Sequence, residues 1–159
     1  MENNNDKEEI KDKKEELIEK LEESVSDNRK YWNTIIKDLS EKIRGELNVC
    51  LSLQAESISR RQEINEQIAT YSYKIFLDNT KLKSLFKSKF EYYTLNYQIK
   101  TNSTEKSKII ESDLAWNTAK VMVIENYVDF LMETRKTIDH IVWSVKNKIE
   151  LYNITGMNG

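Results

Sequence analysis

The residues best suited to binding a ligand are concentrated between Tyr71 and Lys108. This segment holds eight lysines against three acidic residues, a net charge of +5, in a chain whose formal net charge is −2. Lysines neutralise phosphates and aromatic faces stack on unpaired bases, so the combination suits single-stranded nucleic acid. The same composition would also arise if the aromatic residues were core and the lysines a solvated rim.

Helical spacing separates the candidates within this segment. At 100° per residue, Leu82, Phe86 and Tyr93 fall within about 40° of one another, which predicts a buried stripe. Lys83 and Lys87 border that stripe, and Lys89 projects into it. Tyr92 points away and is the better candidate for base stacking. The full set of candidate DNA-binding residues is Lys74, Lys81, Lys83, Lys87, Lys89, Tyr92 and Tyr93.

The sequence contains no pattern typical of catalysis. There is no glycine-rich phosphate loop, no serine elbow and no cluster of Cys and His. The one histidine, His140, follows Asp139, and a single histidine does not make a metal site, so we expect it on a helix surface or interface. The one cysteine, Cys50, lies in the apolar stretch VCLSL and is expected to be buried. We therefore predict a protein that is not an enzyme and that has no cofactor and no metal.

Composition predicts an all-α fold. The chain has no proline, only three glycines, and 33 % charged residues, with Glu, Lys, Leu and Ile dominant. No apolar run reaches the roughly 18 residues of a membrane span, and the start of the chain does not resemble a signal peptide. A lone cysteine suits a reducing compartment. These features predict a cytoplasmic protein, in the host cytoplasm if a phage encodes it, with no membrane partner.

Apolar periodicity sets the expected elements. One helix face begins at Trp32 and continues to Tyr93, which predicts helices over about 31–97 with breaks at Gly45 and at Asp78–Thr80. Residues 98–112 are predicted as a loop, followed by a helix over about 113–153 that Ser112 or Asp113 caps. Residues 1–29 are acidic and poor in large apolar side chains, which predicts a flexible, solvated extension before one domain at 30–159. Helical spacing of Ile10, Leu17, Leu21 and Val25 leaves a transient or partner-stabilised helix as the alternative.

The last predicted helix has the most regular apolar stripe. Its heptad rhythm favours packing against other helices, and two amphipathic helices alone make a thin core. We therefore expect self-association through this stripe. The predicted oligomer interface comprises Leu114, Val121, Ile124, Val128, Leu131, Ile138, Val145 and Ile149.

Two short motifs resemble one family. FKSKFEYYT, residues 86–94, resembles the basic-x-basic-apolar-acid-Tyr-Tyr element of the UvsY-type recombination mediators of tailed phages. The stretch ESDLAWNTAKVMVIENYVDFLMETRKTIDHIVWSVKNKIELYNITG, residues 111–156, is similar to that family's acid-Ser-Asp start, Glu-x-x-Val-Asp-aromatic-Leu centre and closing helix. The resemblance covers residues 31–156. The chain departs from the family pattern at Leu95, Ile141, Tyr152 and Asn153.

The resemblance implies a function. It implies a small all-α protomer in a ring-like homo-oligomer that binds single-stranded DNA through Lys87 and Lys89. Such a protein helps a RecA-like recombinase displace single-strand-binding protein, without chemistry of its own. Two other classes stay open: a structural coiled-coil scaffold without a DNA role, and an accessory subunit that acts only through apolar helix faces.

Overall fold

The protein consists of three long helices packed as a bundle. The computed structural model describes residues 4–96 and 102–156, and side chains within these ranges from residue 12 onward. The helices are α1 (Asn4–Lys42), α2 (Leu47–Asn96) and α3 (Ser103–Gly156). This confirms the all-α prediction, whereas the ring-like homo-oligomer stays a prediction.

The chain forms two compact units, and each helix contributes to both. The first unit combines residues 1–24 with 72–126, and the second combines residues 25–71 with 127–159. The first unit contains all seven candidate DNA-binding residues. The second holds the turn between α1 and α2.

The start of the chain is helical. Residues 4–42 form one helix, most of the described side chains between residues 12 and 29 are exposed, and the flexibility of the extension over residues 1–29 stays a prediction. Val25 is only 8 % exposed, and the indole of Trp116 donates a hydrogen bond of 2.7 Å to the carbonyl oxygen of Lys14. Of the few apolar residues described in this segment, Val25 is buried and Ile18 and Leu21 are half-buried, whereas Leu17 is exposed. Ion pairs one turn apart, such as Lys20 with Glu16, add modest support on the solvent face.

The predicted break at Gly45 is confirmed as the turn between α1 and α2. The amide of Gly45 donates to the carbonyl oxygen of Lys42 at 3.0 Å. A Cβ on Gly45 would lie 2.7 Å from Cγ1 of Val49, so the turn has no room for a side chain there. From α3, the ammonium of Lys148 donates to the carbonyl oxygens of Ile43 at 2.8 Å and Gly45 at 2.6 Å. Lys148 thus satisfies carbonyl groups that the end of a helix leaves without partners.

The second predicted break is wrong, because Asp78, Asn79 and Thr80 lie inside α2. The hydroxyl of Thr80 donates to the carbonyl oxygen of Phe76 at 2.8 Å, which a helix tolerates. Asp78 forms an ion pair with Lys120 of α3, with 3.0 Å between Nζ and Oδ2. A contact with another helix therefore outweighs the weak local preference of these residues for a turn.

Helix α3 begins earlier than expected. It starts at Ser103, so neither Ser112 nor Asp113 is its cap, and residues 103–112 of the predicted loop are helical. Asn102 Oδ1 accepts the amide of Glu105 at 2.8 Å, and Glu105 Oε2 accepts the amide of Asn102 at 3.1 Å. This reciprocal pair is a capping box, with Asn in the place of Ser or Thr. Residues 98–101 of the predicted loop lie outside the described residues.

The core of the second unit contains a polar contact among three large side chains. Gln67 Oε1 accepts hydrogen bonds from the indole of Trp32 at 3.3 Å and from the hydroxyl of Tyr127 at 3.1 Å. Tyr71 packs edge-on against Tyr127, with ring centroids 5.1 Å apart. Burial raises the pKa of Tyr127 to about 12. The contact joins one residue from each helix and so fixes their register in this unit.

The apolar stripe of α3 is covered within the protomer. Seven of the eight residues predicted as an oligomer interface are buried, and Ile149 is half-buried. The prediction assumed that only two helices were available to cover this stripe. Because α1 supplies a third, the stripe of α3 gives no reason of its own for self-association.

Candidate nucleic-acid interface

The seven candidate DNA-binding residues lie on the C-terminal half of α2, in the first unit, where helical geometry places five of them on two flanks and Lys89 and Tyr93 on the inner face. Angles around the axis of α2 are measured here from Leu82, at the centre of the inner face. One side, at about 80–100°, holds Lys74, Lys81 and Tyr92. Lys83 and Lys87 fall about 100–140° to the other side. We call these the Lys81 flank and the Lys83 flank. The structure therefore does not bring the predicted residues together as one patch.

The Lys81 flank is open to solvent. Lys74 and Lys81 are exposed, and neither forms an ion pair within the described residues. Tyr92 is 59 % exposed, and its ring meets that of Tyr93 edge-on at 5.6 Å. The flank thus presents two uncompensated ammonium groups and one aromatic face, which are the groups that bind phosphates and unpaired bases.

The Lys83 flank is also exposed. Lys87 lies 4.0 Å from Glu91, and both side chains are well solvated, so this ion pair is worth little and leaves the ammonium available. Lys83 lies at the edge of an apolar groove between α2 and α3, with a volume of about 620 Å³. The groove is lined by Leu82, Lys83, Phe86, Glu111, Leu114, Ala115, Thr118, Ala119 and Met122.

Lys89 is held by an intramolecular ion pair. Its Nζ donates to Oδ2 of Asp113 at 2.7 Å, and the hydroxyl of Tyr93 donates to the same oxygen at 2.9 Å. The hydrogen bond from Lys89 lowers the pKa of Asp113, and the same bond raises the pKa of Lys89. The expectation that Lys89 lies on an inner face is met, but a carboxylate of α3 compensates its charge there. Its role in DNA binding, and that of Tyr93, stay predictions.

A small cavity beside the Lys81 flank contains residues that sequence reasoning missed. Its volume is about 80 Å³, and it is lined by Asp78, Lys81, Leu82, Leu85, Asn117 and Lys120. The side chain of Asp78 is 15 % exposed and that of Lys120 is 32 % exposed. Nζ of Lys120 lies 3.0 Å from Oδ2 of Asp78, which makes an ionic contact without the alignment of a hydrogen bond. Lys120 and Asn117 belong to α3, far from the basic segment in sequence. Only their spacing of three on one helix could have suggested that they act together.

No group of three or more His, Cys, Asp or Glu side chains in the described part of the chain could hold a metal ion. No helix within the described ranges is long and apolar enough to cross a membrane. His140 is exposed on α3 and Cys50 is buried, as the sequence predicted.

Comparison with known proteins adds no assignment: the chain matches no family model, no curated protein and no solved structure.

Proposed function

We propose that the protein is a non-enzymatic recombination mediator. In this proposal it binds single-stranded DNA and promotes the loading of a RecA-like recombinase onto strands covered by single-strand-binding protein. It acts as a homo-oligomer.

One observation carries the DNA-binding part of the proposal. The C-terminal half of α2 exposes Lys74, Lys81, Lys83 and Lys87, while the acidic residues that balance the chain's charge are concentrated in α1. A helix that only packs in a bundle gains little from four exposed lysines, of which only Lys87 forms a solvated ion pair, beside an exposed tyrosine. Phosphate binding gives these residues a reason, because each neutralised phosphate releases counterions. The resemblance of residues 86–94 to the UvsY-type element supports the same conclusion.

Exposed apolar surface supports association with proteins. Leu151 and Ile154 are 64 % and 65 % exposed within one turn of each other at the end of α3, and Trp143, 65 % exposed, lies about 12 Å before Leu151 along the helix axis. Large exposed apolar side chains that lie together mark interaction sites more often than isolated ones do. We assign this surface to the proposed homo-oligomer, and the apolar groove of the first unit to a protein partner such as the recombinase.

Binding of a fluorescently labelled oligothymidylate, measured by anisotropy at two salt concentrations, tests the proposal. We expect affinity to fall with salt, with a slope of log affinity of about 0.7 per phosphate contacted. A variant with Lys74, Lys81, Lys83 and Lys87 all changed to Gln should lose most of this slope while it keeps its helicity. A parent protein that fails to bind the strand even at low salt would rule out the mediator.

The mediator step needs a second measurement. The single-strand-dependent ATPase of a RecA-like recombinase should recover on strands coated with single-strand-binding protein when this chain is added. The four-lysine variant is the control and should not restore the ATPase. Strand binding without this recovery would restrict the function to DNA binding.

A structural helical scaffold is the second candidate, and the apolar groove of about 620 Å³ favours it. A scaffold of this kind needs apolar contacts between proteins and no affinity for DNA. It predicts a stable assembly by light scattering, unchanged by the oligonucleotide and by the four-lysine substitution.

A further inference from the structure

The small cavity between α2 and α3 of the first unit is bordered by two lysines and an amide. We propose that Lys81 and Lys120, with Asn117, form a phosphate-binding subsite, and that single-stranded DNA follows the Lys81 flank across it. This inference rests on the proposed DNA binding and identifies which flank carries the strand. It adds two residues of α3 that the sequence did not suggest.

The donor groups around the cavity suit a phosphate. Two ammonium groups and the side-chain amide of Asn117 offer hydrogen-bond donors, and Asp78 contributes the one carboxylate, so the set has a net charge of +1. A volume of about 80 Å³ is several times the roughly 10–15 Å³ that one water molecule requires. That space suits a single phosphate group.

Lys120 differs from a solvated rim lysine because Asp78 holds it in place. The carboxylate lies 3.0 Å from Nζ and is mostly buried, so Lys120 stays at the cavity instead of extending into solvent. A positioned cation loses less side-chain entropy when it binds an anion than a free lysine does. The same carboxylate also competes with a phosphate for Lys120, and this competition makes the proposal testable.

The subsite continues along α2 in both directions. Lys74 lies seven residues before Lys81 on the same flank, about 10 Å along the helix axis. Tyr92 lies eleven residues beyond Lys81, about 16 Å away, with its ring exposed. Two ammonium groups, the cavity and a stacking ring thus follow one line of about 27 Å, a length that suits a short single strand. The Lys83 flank carries its exposed aromatic ring before its lysines, since Phe76 is 63 % exposed and lies about 10 Å before Lys83 along the helix axis. It differs from the Lys81 flank in that Lys87 already faces the carboxylate of Glu91.

Four variants of the full-length chain test the subsite by anisotropy with labelled oligothymidylate. Lys81→Gln should lower the salt slope of log affinity by about 0.7, the loss of one phosphate contact. The double variant Asp78→Asn with Lys120→Gln should lower the slope by a similar amount without leaving a buried charge unpaired. Asp78→Asn alone should raise affinity and leave the slope near that of the parent, because it removes the negative charge that competes with the phosphate for Lys120 without adding a phosphate contact. Lys37→Gln, an exposed lysine of α1 in the second unit, is the matched control and should bind like the parent.

A competition experiment tests whether the subsite that binds the strand also binds a free phosphate ion. Replacing chloride by inorganic phosphate at equal ionic strength should displace the strand from the parent more than from the Asp78→Asn, Lys120→Gln variant. Circular dichroism is the control for helicity: where a variant keeps the helicity of the parent, a loss of binding comes from the substituted side chain and not from unfolding.

The possible outcomes separate the subsite from the proposed function. If the parent binds the strand but Lys81→Gln, the double variant and Asp78→Asn all behave like Lys37→Gln, the subsite is wrong and the proposed function stands. The subsite is equally wrong if inorganic phosphate competes but the variants keep full strand affinity. If the parent binds no strand at either salt concentration, the proposed function and the subsite both fall.

Discussion

Nζ of Lys89 lies 2.7 Å from Oδ2 of Asp113, and the hydroxyl of Tyr93 donates to that same oxygen at 2.9 Å. The contact joins α2 to α3 in the first unit, and it involves a lysine that the family resemblance assigns to DNA. The side chains of Lys89 and Asp113 are 37 % and 32 % exposed, so solvent reaches the pair and screens it in part. As a free group Lys89 would be a phosphate ligand, but as a paired group it mainly positions two helices.

Asp113→Asn tests which description holds. The substitution removes the negative charge and leaves Lys89 without its ion pair, so we expect the salt slope for single-stranded DNA to rise by up to about 0.7. The free energy of unfolding should fall by about 1 kcal/mol or less, since the pair is partly solvated. An unchanged slope, measured by anisotropy alongside Asp129→Asn on the exposed face of α3 in the second unit, would show that Lys89 does not reach the strand even when freed.

Much of the fold follows from apolar spacing. Periodicity predicts the stripe of α3 and the inner face of α2, and a residue that weakens helices predicts the turn at Gly45. The wrong break at Asp78–Thr80 has a long-range cause, a contact with another helix, whereas the early start of α3 has a local one, the capping box of Asn102 and Glu105. Asp78 favours a turn on local grounds, but in the bundle it pairs with Lys120 of α3.

In the candidate site too, the sequence predicts the direction of a side chain on its helix but not its contacts with another helix. Helical geometry alone points Tyr92 away from the bundle and Lys89 toward it, and the structure has Tyr92 exposed and Lys89 half-buried against α3. It could not reveal that Asp113, twenty-four residues later, pairs with Lys89. Nor could it reveal that Lys120 lies beside Lys81 at one cavity, because that depends on how α2 and α3 are registered.

Leu21 and Leu17 test whether the start of α1 packs on the rest of the first unit. Leu21 is half-buried and Leu17 is 57 % exposed, although both belong to the same helix. Leu21→Asp should lower the free energy of unfolding by about 2 kcal/mol, because a charge is forced against an apolar face. Leu17→Asp should change it by less than about 0.5 kcal/mol, as surface substitutions do. Thermal or urea unfolding measures both, and equal small effects would support the solvated extension that the sequence predicted.

Tyr127 predicts a loss of stability at alkaline pH. Its pKa is raised from 10.0 to about 12 by burial, so the folded protein keeps a proton that the unfolded chain releases. The contribution of protonated Tyr127 to the free energy of unfolding is therefore complete below pH 10 and is lost as the pH rises from 10 through 12. A shift of this size corresponds to roughly 2–3 kcal/mol at about 1.4 kcal/mol per pKa unit.

The variant Tyr127→Phe isolates this effect. It should be less stable than the parent by about 1 kcal/mol at neutral pH, because Gln67 loses one hydrogen-bond donor. The difference between the two proteins should then shrink or reverse as the pH rises above 10, since Phe has no proton to lose. Urea unfolding at a series of pH values measures the difference, and parallel curves for parent and variant would contradict the assignment.

Lys148 and Lys146 provide a matched pair at the turn between α1 and α2. Lys148 donates to the carbonyl oxygens of Ile43 and Gly45 in the second unit, whereas Lys146 is exposed and lies 3.9 Å from Glu150, on its own helix. Lys148→Met keeps the aliphatic stem but leaves two carbonyl groups at the end of α1 without their charged donor. We expect it to lower the free energy of unfolding by about 1–2 kcal/mol. Lys146→Met removes only a solvated ion pair and should cost about 0.5 kcal/mol or less.

Chemical denaturation at neutral pH compares the two directly. Equal costs would mean that solvent satisfies the carbonyl groups of the turn as well as Lys148 does.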